Sequence, residues 1–260
     1  MRFIKRSIIY FVICVGVWTF FAFYVRDKYT VPILMYHKID PSRASSELNV
    51  VSQKSFEHQM KFLKRHGYQV ISLDDLVQGI NKGNLFNRHS VVITFDDGYE
   101  DNYIKAFPIL TKYEFPATIF VISDAIGNSG FMTWEQLKEM QEFDITVGSH
   151  TRHHVYLPDV NEKDRLQDEI LNSKKIIEKN IGKDVSYFSY PSGGYSEEIK
   201  DVVKNAKYKG ACATNRGFDR FNTGVYEIKR IRINDHDNAV VMWAKLSGYY
   251  NLFRDFKNSY

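Results

Sequence analysis

Two cysteines and six prolines are all that this 260-residue chain contains. So few cysteines exclude a disulfide-stapled scaffold and a cysteine-based zinc site. Cys14 lies inside an apolar run and Cys212 inside Lys-Gly-Ala-Cys-Ala-Thr (209–214), so no bridge between them is expected and Cys212 reads as a small buried residue. Runs of lysine and arginine are also missing, and the net charge is only +4. That excludes a dense nucleic-acid footprint. There is no internal repeat and no low-complexity stretch. Long hydrophobic runs are absent too, with one exception.

The exception is Ile-Ile-Tyr-Phe-Val-Ile-Cys-Val-Gly-Val-Trp-Thr-Phe-Phe-Ala-Phe-Tyr-Val, residues 8–25, which is 18 residues without a charge. That is just long enough to span a bilayer as a helix. Arg2, Lys5 and Arg6 precede it, which favours a cytoplasmic N-terminus and an exported remainder. No good Ala-x-Ala-like cleavage site follows, so residues 1–28 are predicted to be an uncleaved signal anchor, or transmembrane helix, ahead of a domain spanning 29–260, with a cleaved signal and a secreted domain as the alternative.

The rest has ordinary globular composition, 44% hydrophobic and 25% charged over the whole chain. Short β-branched runs alternate with helical patterns. Strands are predicted at 31–37, 68–73, 91–97, 117–121, 145–150, 185–191, 209–214 and 225–233. Helices are predicted at 55–67, 133–143, 162–181, 196–208 and 237–250. The second of these opens with a capping box, Thr133 and Gln136. Alternation of this kind argues for a parallel sheet, a (β/α) barrel of seven or eight units or else an open doubly wound sheet. In either case chemistry gathers at the carboxyl ends of the strands.

The residues that end these strands are polar. His37 ends the first. Asp96 and Asp97 end the third, in Thr-Phe-Asp-Asp-Gly (94–98). His150 ends the fifth and begins His-Thr-Arg-His-His, with His154 four residues on. Pro191, Ser192 and two glycines end the sixth. Either motif alone is weak evidence, because Asp-Asp-Gly is commonly a turn and two histidines four apart occur by chance. Together at strand ends, two imidazoles and a carboxylate form a ligand set for a divalent ion, with a position left for water. The second aspartate can then take a proton from that water. His153 is expected to point away. Tyr36 and Tyr190 flank these residues and are candidates to reach the cleft, whereas Trp134 and Trp243 are expected in the core.

Thr-Phe-Asp-Asp-Gly and His-Thr-x-x-His, in this order and at this spacing, resemble the first two motifs of the polysaccharide deacetylases, carbohydrate esterase family four. The resemblance covers about residues 31–235. It implies a distorted (β/α) barrel and hydrolysis of N-acetyl groups from an amino-sugar polymer. It also implies Asp96 as general base and Asp97, His150 and His154 as ligands of a divalent metal, commonly zinc. The family's third motif, Arg-x-x-Pro-Tyr, stands here as Phe-Ser-Tyr-Pro-Ser, with Phe188 for the arginine and Ser192 for the tyrosine. The resemblance gives the Ser192 backbone N–H to the oxyanion hole, beside Pro191 and Tyr190. The early Met-Tyr-His (35–37), the missing arginine and the late Ile-Lys-Arg-Ile-Arg-Ile-Asn-Asp (228–235) are most similar to the poly-β-1,6-N-acetyl-D-glucosamine deacetylase branch. In that branch His37 is the general acid, and Arg230, rather than Arg232, orients Asp96. The implied partners are the polysaccharide and, through the anchor, the membrane; the implied location is the cell surface.

Overall fold

A computed structural model describes residues 10, 13–17, 19–20, 29–40, 49–217, 219–254 and 257–258. Most of the apolar run 8–25, and with it the predicted anchor, lies outside the described residues. Among the described residues no helix is long and apolar enough to cross a membrane.

All eight predicted strands form, most of them trimmed at the ends. They are β1 (Ile33–Tyr36), β4 (Gln69–Val70), β5 (Ser90–Phe95), β6 (Ala117–Val121), β7 (Ile145–Ser149), β8 (Tyr187–Ser189), β9 (Gly210–Cys212) and β10 (Ile231–Arg232). A separate small pair joins β2 (Lys38–Ile39) to β3 (Val50–Val51). The main sheet is parallel throughout and runs β10-β1-β5-β6-β7-β8-β9, with β4 against the start of β5. It is a half-barrel: β9 and β10 are its two ends and do not pair with each other. The segment 225–233, predicted as one long strand, connects them. Its first part exchanges backbone bonds with β9, where Ile228 N–H donates to Ala211 and Ala213 N–H donates to Ile228. Its last part is β10, beside β1. Between the two the ladder stops, and Arg230 stands at that break.

Helices cover the outside. The predicted helices form at Gln53–Arg65, Trp134–Met140, Lys163–Ile181, Glu197–Asn205 and Ala239–Lys245, the third of them with a π-helical turn at Asp168–Asn172. Two more of seven residues or longer were not legible in the sequence, and a short one lies at Tyr250–Phe253. Leu73–Lys82, capped by Ser72 and Asp75 and ended by Gly83, begins inside the apolar run 68–73. Phe107–Tyr113 carries a proline in its first turn, where the missing N–H costs nothing, and is preceded by a second π-helical turn at Asn102–Ala106.

The core falls into two clusters that follow the two-residue period of the strands. Leu34, Tyr36, Ile93, Phe95, Ile119, Val147, Phe188 and Tyr190 face the helices. Ile33, Val92, Phe120, Tyr187, Cys212 and Ile228 fill the inside, where Leu73, Leu76 and Val77 close the open flank. The inner series continues to His37, Asp96 and His150 just past their strands, to Ser189 as the last residue of β8, and to Arg230 just before β10. The same parity overturns two expectations. Tyr36 and Tyr190 belong to the outer series and are buried, Tyr36 O–H donating to Gln59 and Tyr190 O–H to the Tyr226 carbonyl. Neither reaches the cleft. Trp243 also departs from expectation: it is 64% exposed on its short helix, while Trp134 packs against the core as expected.

Candidate active site and metal centre

At the carboxyl end of β5 the chain turns sharply. Asp97 has φ 75° and Gly98 φ 82°, and a Cβ on Gly98 would meet Ile126 and Val121 at 3.0 and 3.1 Å. Only glycine fits there. The turn sends the two carboxylates apart. Asp96 continues the inner series and is 2% exposed. Arg230 meets it edge to edge, Nη1 on Oδ1 and Nη2 on Oδ2, both at 2.7 Å. The remaining guanidinium donors go to the Ala213 carbonyl, the Thr94 hydroxyl and the Ser189 hydroxyl. All five N–H groups of a fully buried arginine are thus used. Burial alone would raise the Asp96 carboxyl; the charge and paired hydrogen bonds of Arg230 outweigh it and hold the group well below the usual carboxylate range.

Asp97 turns towards the two histidines. Its Oδ1 lies 3.5 Å from Nε2 of His150 and 3.5 Å from Nε2 of His154. His150 Nδ1 donates to the Ser189 carbonyl at 2.8 Å, which fixes the neutral ring with its Nε2 lone pair aimed at the centre. Burial lowers the His150 pKa, so that ring is held neutral. Burial and the neighbouring Asp96 raise that of Asp97. Asp97 Oδ1 is buried with no hydrogen-bond donor. The Nε2 lone pair of His150 therefore faces the orphaned Asp97 oxygen, and the ligand atoms of Asp97, His150 and His154 lie within 4.8 Å of one another. An orphaned carboxylate oxygen facing imidazole nitrogens is an arrangement that a cation completes, and these residues fit a divalent ion.

His37 follows β1, next to β5 in the sheet. Burial, with Arg230 and Arg232, lowers its pKa to about 4, against an opposing pull from Asp96. Ser192 sits at φ 53° in the turn after β8, and its carbonyl accepts from Arg216 Nε at 3.0 Å. Pro191 is buried and opens the turn Pro191–Gly193. His153 points away as expected, its Nδ1 bonded to Glu169 at 2.8 Å.

The chain matches the family model "Polysaccharide deacetylase" over residues 84–211. It is 35% identical over 204 residues to YxkH of Bacillus subtilis, a polysaccharide deacetylase by name, covering 78% of this chain and 71% of that one. It is 31% identical over 198 residues to the poly-β-1,6-N-acetyl-D-glucosamine N-deacetylase of Staphylococcus aureus, covering 71% of this chain and 68% of that one. This chain belongs to the polysaccharide deacetylase family. The deacetylase PplD of Streptococcus pyogenes, solved with acetate, superposes with a TM-score of 0.76 at 28% identity, over 83% of this chain and 97% of that one. IcaB of Ammonifex degensii shares the fold, with a TM-score of 0.73 at 22% identity, over 86% and 97%. The chain is accordingly a metal-dependent amide hydrolase of the carbohydrate esterase type that acts on polysaccharide.

One further residue of this deacetylase is not among those expected from the sequence. Glu169, 2% exposed in the π-helical turn, accepts the backbone N–H of Arg152 and of His153, each at 3.0 Å, besides the His153 ring. It holds the loop between the two candidate ligand histidines, whose Thr151 and His154 have φ of 68° and 59°. A buried glutamate in an amphipathic helix could have been noticed, but its partner cannot be read from spacing. Replacing Glu169 with Gln is expected to weaken zinc binding about 10–100-fold, the usual cost of losing an outer supporting contact. Calorimetric titration of zinc into the metal-free variant checks this; an unchanged affinity would refute it.

Proposed function

We propose that this deacetylase removes acetyl groups from poly-β-1,6-N-acetyl-D-glucosamine outside the cell. The observation that carries the reading is the arginine on Asp96. The family's usual position for it holds Phe188, and Arg230, from the late segment, takes the place, as in the branch that the sequence resembles. The identity to the Staphylococcus aureus enzyme supports the same polymer.

Asp97, His150 and His154 would hold the ion, which we read as zinc. When bound it would polarise the amide carbonyl and lower the pKa of a water. Asp96 is the general base: held ionised by Arg230, it accepts the proton of the attacking water. The Ser192 backbone N–H meets the oxyanion, and Arg216 holds the next peptide of that turn through the Ser192 carbonyl. His37 is the general acid. Its low proton affinity makes it neutral at rest and a ready donor once charged, and it protonates the nitrogen as the C–N bond breaks. The products are acetate and a free amine, and the neutral polymer becomes cationic. We read residues 8–25 as the membrane anchor on their sequence alone; the chain should then stay with the membrane fraction after a high-salt wash.

The test is acetate release by the purified full-length chain from β-1,6-linked N-acetylglucosamine oligomers, with and without chelator, beside Asp96→Asn. Release that requires both metal and Asp96 is expected, with the variant slower by about 10²–10⁴-fold, the usual worth of a general base. Release from peptidoglycan or chitin oligomers instead would overturn the polymer and keep the chemistry.

A further inference from the structure

The motif that supplies Asp96 and Asp97 continues as Gly-Tyr-Glu-Asp-Asn-Tyr, and its last acid–amide pair lies against His37. Asn102 is fully buried. Its Nδ2 donates to the His37 carbonyl at 2.7 Å and to Asp101 Oδ1 at 2.8 Å. Both partners are acceptors, so the side-chain amide can sit only this way round. Asp101 in turn accepts the backbone N–H of Ile39. The pair therefore grips the chain on both sides of Lys38, at the point where β1 ends and β2 begins. The grip is made from the first residue of the π-helical turn Asn102–Ala106, where Asn102 is buried. Such turns recur at functional sites. Asn102 also leaves its Oδ1 buried without a partner. A side chain kept at that cost, aimed at one carbonyl of a strand end, serves the residue that carries the carbonyl.

We infer that Asn102, backed by Asp101, is a positioning residue that fixes His37 for proton delivery to the leaving nitrogen. Thus one ten-residue stretch would supply the base, a metal ligand and the clamp on the acid. The inference rests on the proposed acid role of His37. The step it serves balances once the neutral His37 ring has taken a proton from solvent water: the C–N bond breaks, its electron pair stays on nitrogen, the proton moves from the imidazolium to that nitrogen, and His37 returns to its neutral form. An amide needs this proton because an unprotonated amine anion is a very poor leaving group. A nitrophenyl ester does not, because its phenolate leaves as it is.

That difference is the test. Rates of acetate release from the β-1,6-linked oligomer and from 4-nitrophenyl acetate are compared for the zinc-loaded full-length chain, Asn102→Ser, Asp101→Ala and His37→Gln. The expected result for Asn102→Ser is a fall of tenfold or more in the amide-to-ester ratio, mainly in kcat, with Asp101→Ala smaller in the same sense. His37→Gln should show the largest fall. Amide and ester rates that drop together in Asn102→Ser would mean a structural role only and would sink the inference. If Asn102→Ser does not fold, Asp101→Ala, on a partly exposed residue, decides by the same ratio. A normal ratio in His37→Gln would overturn the acid assignment itself. A fall in His37→Gln with none in Asn102→Ser or Asp101→Ala would overturn the clamp alone.

Discussion

Replacing Arg230 with Leu is expected to destabilise the protein by about 3–5 kcal/mol at neutral pH, the cost of stranding one member of a buried ion pair. The residue is 0% exposed and spends every donor on Asp96 or on groups that hold it. Its loss leaves a carboxylate buried at the end of β5 with no counter-charge. The pH dependence then has a definite sign. In the native protein the Asp96 pKa is depressed, so the pair's contribution is present above the unfolded carboxylate value near 3.9 and is lost only as pH falls through the lower folded value. In the variant, burial dominates and the Asp96 pKa rises above the unfolded value. The folded variant then takes up a proton more readily than its unfolded chain, and the stability gap to the native protein narrows as pH falls. Activity needs the ionised base, so the acidic limb of the kcat/KM profile should move to higher pH. Urea titrations at several pH values and a pH–rate profile measure both. A variant with the native acidic limb would show that Arg230 does not set the Asp96 charge.

Replacing Asp97 with Asn should have opposite effects with and without metal. In the metal-free protein Asp97 is a buried carboxylate whose Oδ1 has no donor, next to a second carboxylate and at a positive φ. Asparagine removes the charge, brings an N–H that can face the Nε2 of His150, and tolerates this backbone well. The metal-free variant should therefore be more stable by about 1–2 kcal/mol, roughly the cost of an unsatisfied buried group. That corresponds to a rise in Tm of about 2–8 °C for a chain of this size. Adding zinc should reverse the order. The native protein gains about 4 kcal/mol at a thousandfold excess over Kd, and a variant that binds poorly gains little. Thermal scans of both proteins, with chelator and with zinc, give the four values. A variant less stable than the native protein in chelator would mean that Asp97 is not held under electrostatic strain, and the metal assignment would lose its main support.

The two variants bear on different halves of the site because the turn at Gly98 gives adjacent side chains different partners, although His150 Nε2 lies 4.0 Å from Asp96 and 3.5 Å from Asp97. Asp96 lies on the inner series of β5 and takes its properties from an arginine 134 residues away in sequence. Asp97 lies past the turn and takes its properties from a loop about 50 residues on.

What the sequence determined by itself is what local periodicity and local chemistry can carry. The β-branched runs placed every strand of the main sheet. Asp96 with Asp97 and His150 with His154 were legible because each pair lies within one turn of chain, where spacing sets direction. The inner and outer parity of the strands was also present in the sequence, and would have excluded Tyr36 and Tyr190 from the cleft. The tertiary structure decided the rest. The two-residue strand β10 and the break before it admit Arg230 to Asp96, although the pattern of 225–233 reads as one continuous strand. The contacts of Asn102 with His37 and of Glu169 with the histidine loop come from π-helical turns, which leave no periodic mark. Helix Leu73–Lys82 was hidden because its first apolar residue extends the run of β4. The physical reason is common to all of these. A buried polar side chain finds its partner through the order of strands in the sheet, and that order is fixed by packing among elements far apart in the chain.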